Sequence, residues 1–168
     1  MMMTSLSTPA SNSPPPEPDP RRAARMLAVQ ALYCWDLIRY AEGELPLPPD
    51  LADESPADAA ALAASMVEGV RTQRVAIDGA IDARLDNWTI GRLAATDRAI
   101  LRLGAYEVLY RAETPPRVTI NECVELAKQF GSDGKTARLV NGVLDRLARD
   151  HRPTEVRKKA PAAPADPA

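Results

Sequence analysis

The chain has 168 residues, with sixteen Pro, eight Gly, two Cys, one His and a formal net charge of −2. That length supports one domain with tails. Aromatics at 4% argue against a β-rich core, since strands favour aromatic and β-branched residues. The near-neutral charge excludes a globally basic nucleic-acid protein, so any such activity must come from local clustering. Two distant Cys and a lone His151 exclude a Cys-based zinc site, a disulfide scaffold and His-based triads. No metal or cofactor is expected.

Residues 1–20 carry six of the Pro and read as a disordered tail, too poor in apolar side chains to offset the entropy of ordering. They lack the basic and apolar regions of a signal peptide. No run of about 18 apolar residues suggests a membrane span. The expected compartment is the cytoplasm. Residues 153–168 hold four more Pro and the run Arg157-Lys158-Lys159, and read as a second disordered tail. The folded part is then 21–152, interrupted by a Pro-rich loop over 43–56.

The first helix is expected from Arg21 to Tyr40, with Ala24, Leu27, Ala28, Ala31, Trp35 and Ile38 on its apolar face. Ser55-Pro56-Ala57-Asp58 reads as the start of a second helix, with Ser as N-cap and Pro at N1. It continues to about Leu85, with a kink near Gly69 or Gly79. Asn87-Trp88-Thr89 breaks the chain, and Ile90–Ala94 forms a short turn. Thr96-Asp97 caps a helix to Arg111 that is apolar on most sides and therefore central. Gly104 in its middle predicts close approach of a neighbouring helix. Thr119-Ile120-Asn121-Glu122 matches a capping box ahead of a helix to Phe130, ended by Gly131. A last helix spans Thr136 to Asp150, with Leu139, Val140, Val143, Leu144 and Leu147 inward. No segment alternates with period two, so the expected fold is all-α.

Three Arg (Arg21, Arg22 and Arg25) open the first helix, and no acid follows until Asp36. Helical steps carry Arg22 through Arg25 and Val29 to Tyr33 along one stripe. Cations with an aromatic ring on an outward stripe suit phosphates and an unpaired base; the alternative is a solvated face with a half-buried Tyr. Basic residues at a helix start oppose the macrodipole, which hints at a purpose. Gly131-Ser132-Asp133-Gly134-Lys135-Thr136 resembles a phosphate loop but has Gln129 where the first Gly belongs, and it follows a helix rather than a strand. Cys34 and Cys123 read as small core residues. His151 sits at a helix C-terminus, where a cation is favoured. Asp78, Asp82 and Asp86 read as a solvated acidic stripe. No nucleophile meets a base, so no enzyme is expected.

The blocks RRAARMLAVQALYCWDL (21–37), DRAILRLGAYEVLY (97–110), VTINECVELAKQFG (118–131) and RLVNGVLDRLA (138–148) resemble, in order, those of the NusB transcription antitermination family. The resemblance implies two small antiparallel helix bundles packed together. It implies a non-catalytic adaptor that pairs with a small-subunit ribosomal protein acting as NusE and binds boxA-type RNA. Such an adaptor joins other Nus factors on RNA polymerase and supports ribosomal RNA operon transcription. RNA contacts carried over by motif are Arg21, Arg22, Arg25, Tyr33, Arg138 and Leu139. Many members have Phe at the last of these positions, so a base stack would be lost. Asp97, Arg102 and Glu107 are carried over as partner contacts. Some members dimerise, so a homodimer is a further expectation. The competing readings are a helical scaffold without specific RNA binding, and the RNA-binding domain of a ribosomal RNA methyltransferase. Nothing after residue 152 reads as a catalytic domain, which disfavours the second.

Overall fold

The computed structural model describes residues 19–38 and 57–157. The expected N-terminal tail up to 18, the 43–56 loop with the Ser55 N-cap, and the C-terminal residues from 158 onward lie outside them. Helix α1 spans Pro20–Ile38, α2 Ala57–Thr72, α3 Arg74–Asp82, α4 Ala95–Tyr110, α5 Pro116–Phe130, α6 Thr136–His151 and α7 Pro153–Arg157. A 3₁₀ turn covers Ile90–Arg92. Among the described residues there is no strand, and no helix is long and apolar enough to cross a membrane.

Helix α4 organises the rest. Its residues from Asp97 to Val108 are buried with one exception, Arg98, because neighbours cover it on every side. One bundle sets α1, α2 and α3 against α4; the other sets α5 and α6 against it. Helix α1 offers Ala24, Leu27, Ala28, Ala31 and Leu32, and α2 offers Ala59, Ala63, Met66 and Val70. Fully buried alanines on both helices let their backbones come close. Helix α6 contributes Val140, Val143, Leu144 and Leu147, as its periodicity predicts. Leu139 is half-buried.

Several boundaries differ from expectation for local reasons. Helix α1 begins at Pro20, and Asp19 is its cap: the Asp19 carboxylate accepts the backbone N–H of Arg21 at 2.9 Å. That negative charge offsets the Arg residues at the positive end of the helix dipole. The break between α2 and α3 falls at Gln73, not at a Gly. Thr72 Oγ1 donates to the Glu68 carbonyl at 2.8 Å, a back-bond that bends helices. Ala94, not Thr96, is the N-cap residue of α4, and no side chain caps that end. The capping-box reading of 119–122 is wrong as well. Helix α5 already starts at Pro116, where Pro at N1 is favoured. Thr119 is therefore one turn inside, fully buried, with no hydrogen-bond partner for its hydroxyl among the described residues. Residues 153–157, expected within the C-terminal tail, form α7: Val156 packs on the core, and Arg152 just before it donates to the carbonyls of Ala112 and Thr114 at 3.0 and 2.9 Å.

Gly104 answers its prediction. A Cβ there would lie 2.5 Å from Leu144 Cδ1 and 3.0 Å from Cys123 Sγ, so α5 and α6 approach at this point. Gly69 plays the same part against the Tyr106 ring, which a Cβ would meet at 2.2 Å. Gly79 faces open space. Gly69→Ala is therefore expected to destabilise by about 1–3 kcal/mol through overpacking. Gly79→Ala is expected to stabilise by about 0.5–1 kcal/mol through helix propensity. Paired chemical denaturation of the two variants checks the opposite signs.

Candidate nucleic-acid interface

The opening arginines meet three different fates. Arg21 is exposed and has no ion-pair partner among the described residues. The Arg22 side chain is 60% exposed and paired with Glu122 of α5, Nε donating to Oε2 at 3.0 Å and Nη2 to Oε1 at 2.8 Å. Arg25 is 3% exposed. It donates from Nε and Nη2 to the two carboxylate oxygens of Glu107 in α4, at 3.0 and 2.9 Å. Burial works against the Arg25 charge, yet the hydrogen bonds and charge of Glu107 outweigh it and hold the guanidinium above its ordinary value.

The outward stripe expected from the sequence is therefore corrected. Arg25 and Val29 both turn into the core. Tyr33 is half-buried and packed on the hydrophobic cluster, so its ring is not freely presented beside the cations. The three residues carried over as partner contacts all lie on α4, which both bundles cover. Asp97 is 5% exposed and accepts from the Ser132 backbone N–H at 2.9 Å, Ser132 Oγ at 2.6 Å and Thr136 Oγ1 at 3.2 Å. It shapes the turn between α5 and α6 from within. Arg102 is buried, pairs with both oxygens of Asp78 at 2.9 Å and lies 5.7 Å from the centroid of the Trp35 ring. Glu107 is fully buried against Arg25.

The acidic stripe is solvated at Asp82 and Asp86, both exposed, and each of its three carboxylates also has a partner. Asp78 holds Arg102, Asp82 accepts the Ile90 backbone N–H at 2.7 Å, and Asp86 pairs with Arg146 at 3.4 Å. Asp36 pairs with Arg98, which also donates to the carbonyls of Ile90, Gly91 and Leu93. Sequence reasoning missed these ties because the partners lie far apart in the chain. It also missed Glu122, having assigned it to a cap. Cys123 is buried, and burial followed by the charge of Glu107 pushes its thiol far above its ordinary value.

Of the cations carried over as RNA contacts, Arg21 and Arg22 at the start of α1 and Arg138 on α6, beside half-buried Leu139, are the ones exposed. The NusB family model matches residues 22–149. The chain belongs to the NusB family. It is 46% identical to a transcription antitermination protein NusB of Geobacter sulfurreducens over 132 residues, covering 76% of this chain and 93% of the relative. It is 42% identical to the NusB of Myxococcus xanthus, over 94% of that protein. In structure it is similar to T. maritima NusB, with TM-score 0.75, 33% identity and coverage of 84% of this chain and 99% of that one. It is also similar to a chain from a crystal structure of antitermination factors NusB and NusE in complex with dsRNA. That likeness has TM-score 0.68 and 30% identity, over 78% of this chain and 97% of that one. The all-helical, two-bundle fold is the one these NusB structures share.

Two predictions follow from the pairing. Arg25→Ala leaves the Glu107 carboxylate buried and unpaired, and is expected to cost about 3–5 kcal/mol. The double replacement Arg25→Met with Glu107→Leu is expected to restore most of that loss, as read by urea denaturation. Glu122 is held below its ordinary value of 4.5 by the hydrogen bonds from Arg22, against the opposing effect of partial burial. A depressed carboxylate adds stability above its unfolded value and loses it as pH falls through the folded one. Melting temperature measured from pH 7 to pH 3 is therefore expected to fall less steeply below pH 4.5 in Glu122→Gln than in the wild type.

Proposed function

We propose that this chain is a non-catalytic RNA-binding adaptor in transcription antitermination. It works in the cytoplasm with a small-subunit ribosomal protein of the NusE kind, binds boxA-type RNA, and supports ribosomal RNA operon transcription with other Nus factors and RNA polymerase. The observation that carries this reading is the likeness, over nearly the whole folded chain, to a NusB seen bound to NusE and RNA.

The RNA site is built from the cations that remain accessible. Arg21 and Arg22 pair with backbone phosphates, since a guanidinium fork matches phosphate oxygens. Arg138 extends the cationic surface from α6. Leu139 supplies apolar contact but no ring, which forgoes about 1–3 kcal/mol of base stacking. Tyr33 offers at most an edge. Arg25 acts from inside, by fixing α1 on α4. Asp97, Arg102 and Glu107 act on the ribosomal partner through the turn and helices they hold in place.

With the ribosomal partner present, boxA-type RNA is expected to bind more tightly than scrambled RNA of the same composition. Equal affinities would overturn the reading in favour of a scaffold. Arg22→Ala is expected to weaken binding of the boxA-type RNA and to lower its slope of log affinity against log salt by about 0.7, the value for one phosphate contact on a single strand. Fluorescence anisotropy over a salt series reads both quantities.

A further inference from the structure

The groove between α1 and α5 holds Arg22, Lys128, Glu122 and Glu125 over an apolar floor of Met26 and Leu126. Each cation is taken by a carboxylate of α5. Arg22 is held by Glu122 through two hydrogen bonds, and Lys128 by Glu125 at 2.9 Å. The formal charge of these four groups sums to zero. A phosphate approaching Arg22 therefore meets a cation already neutralised and a carboxylate that repels it.

The pair is asymmetric. The Arg22 side chain is 60% exposed, while that of Glu122 is 19% exposed and backed by the helix. Arg22 can swing outward; Glu122 remains behind. A guanidinium has five N–H donors, of which Glu122 engages two. A weakly bound strand gains little by drawing Arg22 away, because the broken pair offsets the new contact. A strand already fixed by other contacts presents its phosphate at high local concentration and can do so.

Resting on the RNA-binding reading above, we propose that Glu122 is a specificity-determining residue: it masks Arg22 against RNA at large and yields it only to a strand anchored elsewhere on the surface. Specificity is a difference of affinities, and a repulsive element set against the wrong ligand raises it.

The test uses the full chain with its ribosomal partner and fluorescein-labelled single-stranded RNAs, one boxA-type and one scrambled. Glu122→Gln is expected to tighten binding of the scrambled RNA by roughly three- to tenfold and of the boxA-type RNA by less, so that discrimination falls. The salt slope for the scrambled RNA should steepen by about 0.7, because a cation masked from that strand has been uncovered. Both gains should vanish in the Arg22→Ala background, since the effect belongs to the pair. Glu122→Ala, which removes the charge and the polar atoms together, must act in the same direction, and thermal melting confirms that each variant is folded. Weaker binding of both RNAs, or an unchanged salt slope, would overturn the proposal and make Glu122 an orienting group. A gain that persists without Arg22 would overturn it too, as a general charge effect. If Arg22→Ala alone leaves binding untouched, the assignment of Arg22 to the RNA site fails and the masking role fails with it. If Arg22→Ala weakens binding but Glu122→Gln does not tighten it, only the masking role fails.

Discussion

The ion pair between Arg25 and Glu107 is the constraint on which the arrangement of the first bundle depends. Both groups are almost wholly removed from water, and each satisfies the other through two parallel hydrogen bonds. Apolar packing would tolerate small slips of α1 along α4, since alanine and leucine side chains interlock in more than one register. A buried bidentate pair does not. Any displacement that separates the groups strands a charge in the core, at a cost of several kcal/mol. The pair therefore ties α1 to α4 at one point along both helices, and a slip that breaks it is penalised. It also sets where Arg21 and Arg22, within one helical turn, emerge at the surface.

The same logic explains the charged residues of α4. A helix covered on all sides has no solvated face for them, so each needs a partner from another element. Asp97 holds the turn before α6, Arg98 reaches Asp36 of α1, Arg102 joins α3 through Asp78, and Glu107 joins α1. These four residues, spaced along one helix, attach it to α1, α3, the 3₁₀ turn and the turn before α6. Charge on α4 is thus a set of ties between elements.

The fold was legible in the sequence where the signal is local. The 3.6-residue recurrence in 20–38 and 136–151, the break at Asn87-Trp88-Thr89 and the packing role of Gly104 follow from side-chain spacing and backbone freedom. The site was legible only in part. A triplet of arginines on consecutive turns reads as one basic surface, yet Glu107 draws Arg25 inward from 82 positions away and Glu122 engages Arg22 from 100 positions away. No local pattern records such a partner. The capping box failed for a related reason. Thr119 and Glu122 have the right spacing, but Pro115-Pro116 starts the helix one turn earlier and frees Glu122 to serve as a long-range acceptor. A motif defined by spacing is silent about which of two helical turns it occupies.

A chain with net charge of only −2 does not draw polyanions from a distance, so recognition has to be local and short-ranged. Under that condition the placement of carboxylates matters as much as the placement of cations. Arg25 is spent on the fold, Arg22 is shared between α5 and the surface, and Arg21 is left to solvent. Three copies of one residue type within five positions thereby stand as a buried tie, a surface ion pair and an exposed cation without an ion-pair partner among the described residues. What separates them is the identity of the helix that faces each one: α4 brings a fully buried carboxylate, α5 a partly exposed one, and Arg21 meets neither. The charge presented at the end of α1 is consequently decided by helix packing, and a substitution in α4 or α5 that shifts a carboxylate by one turn would redistribute the three roles without touching an arginine.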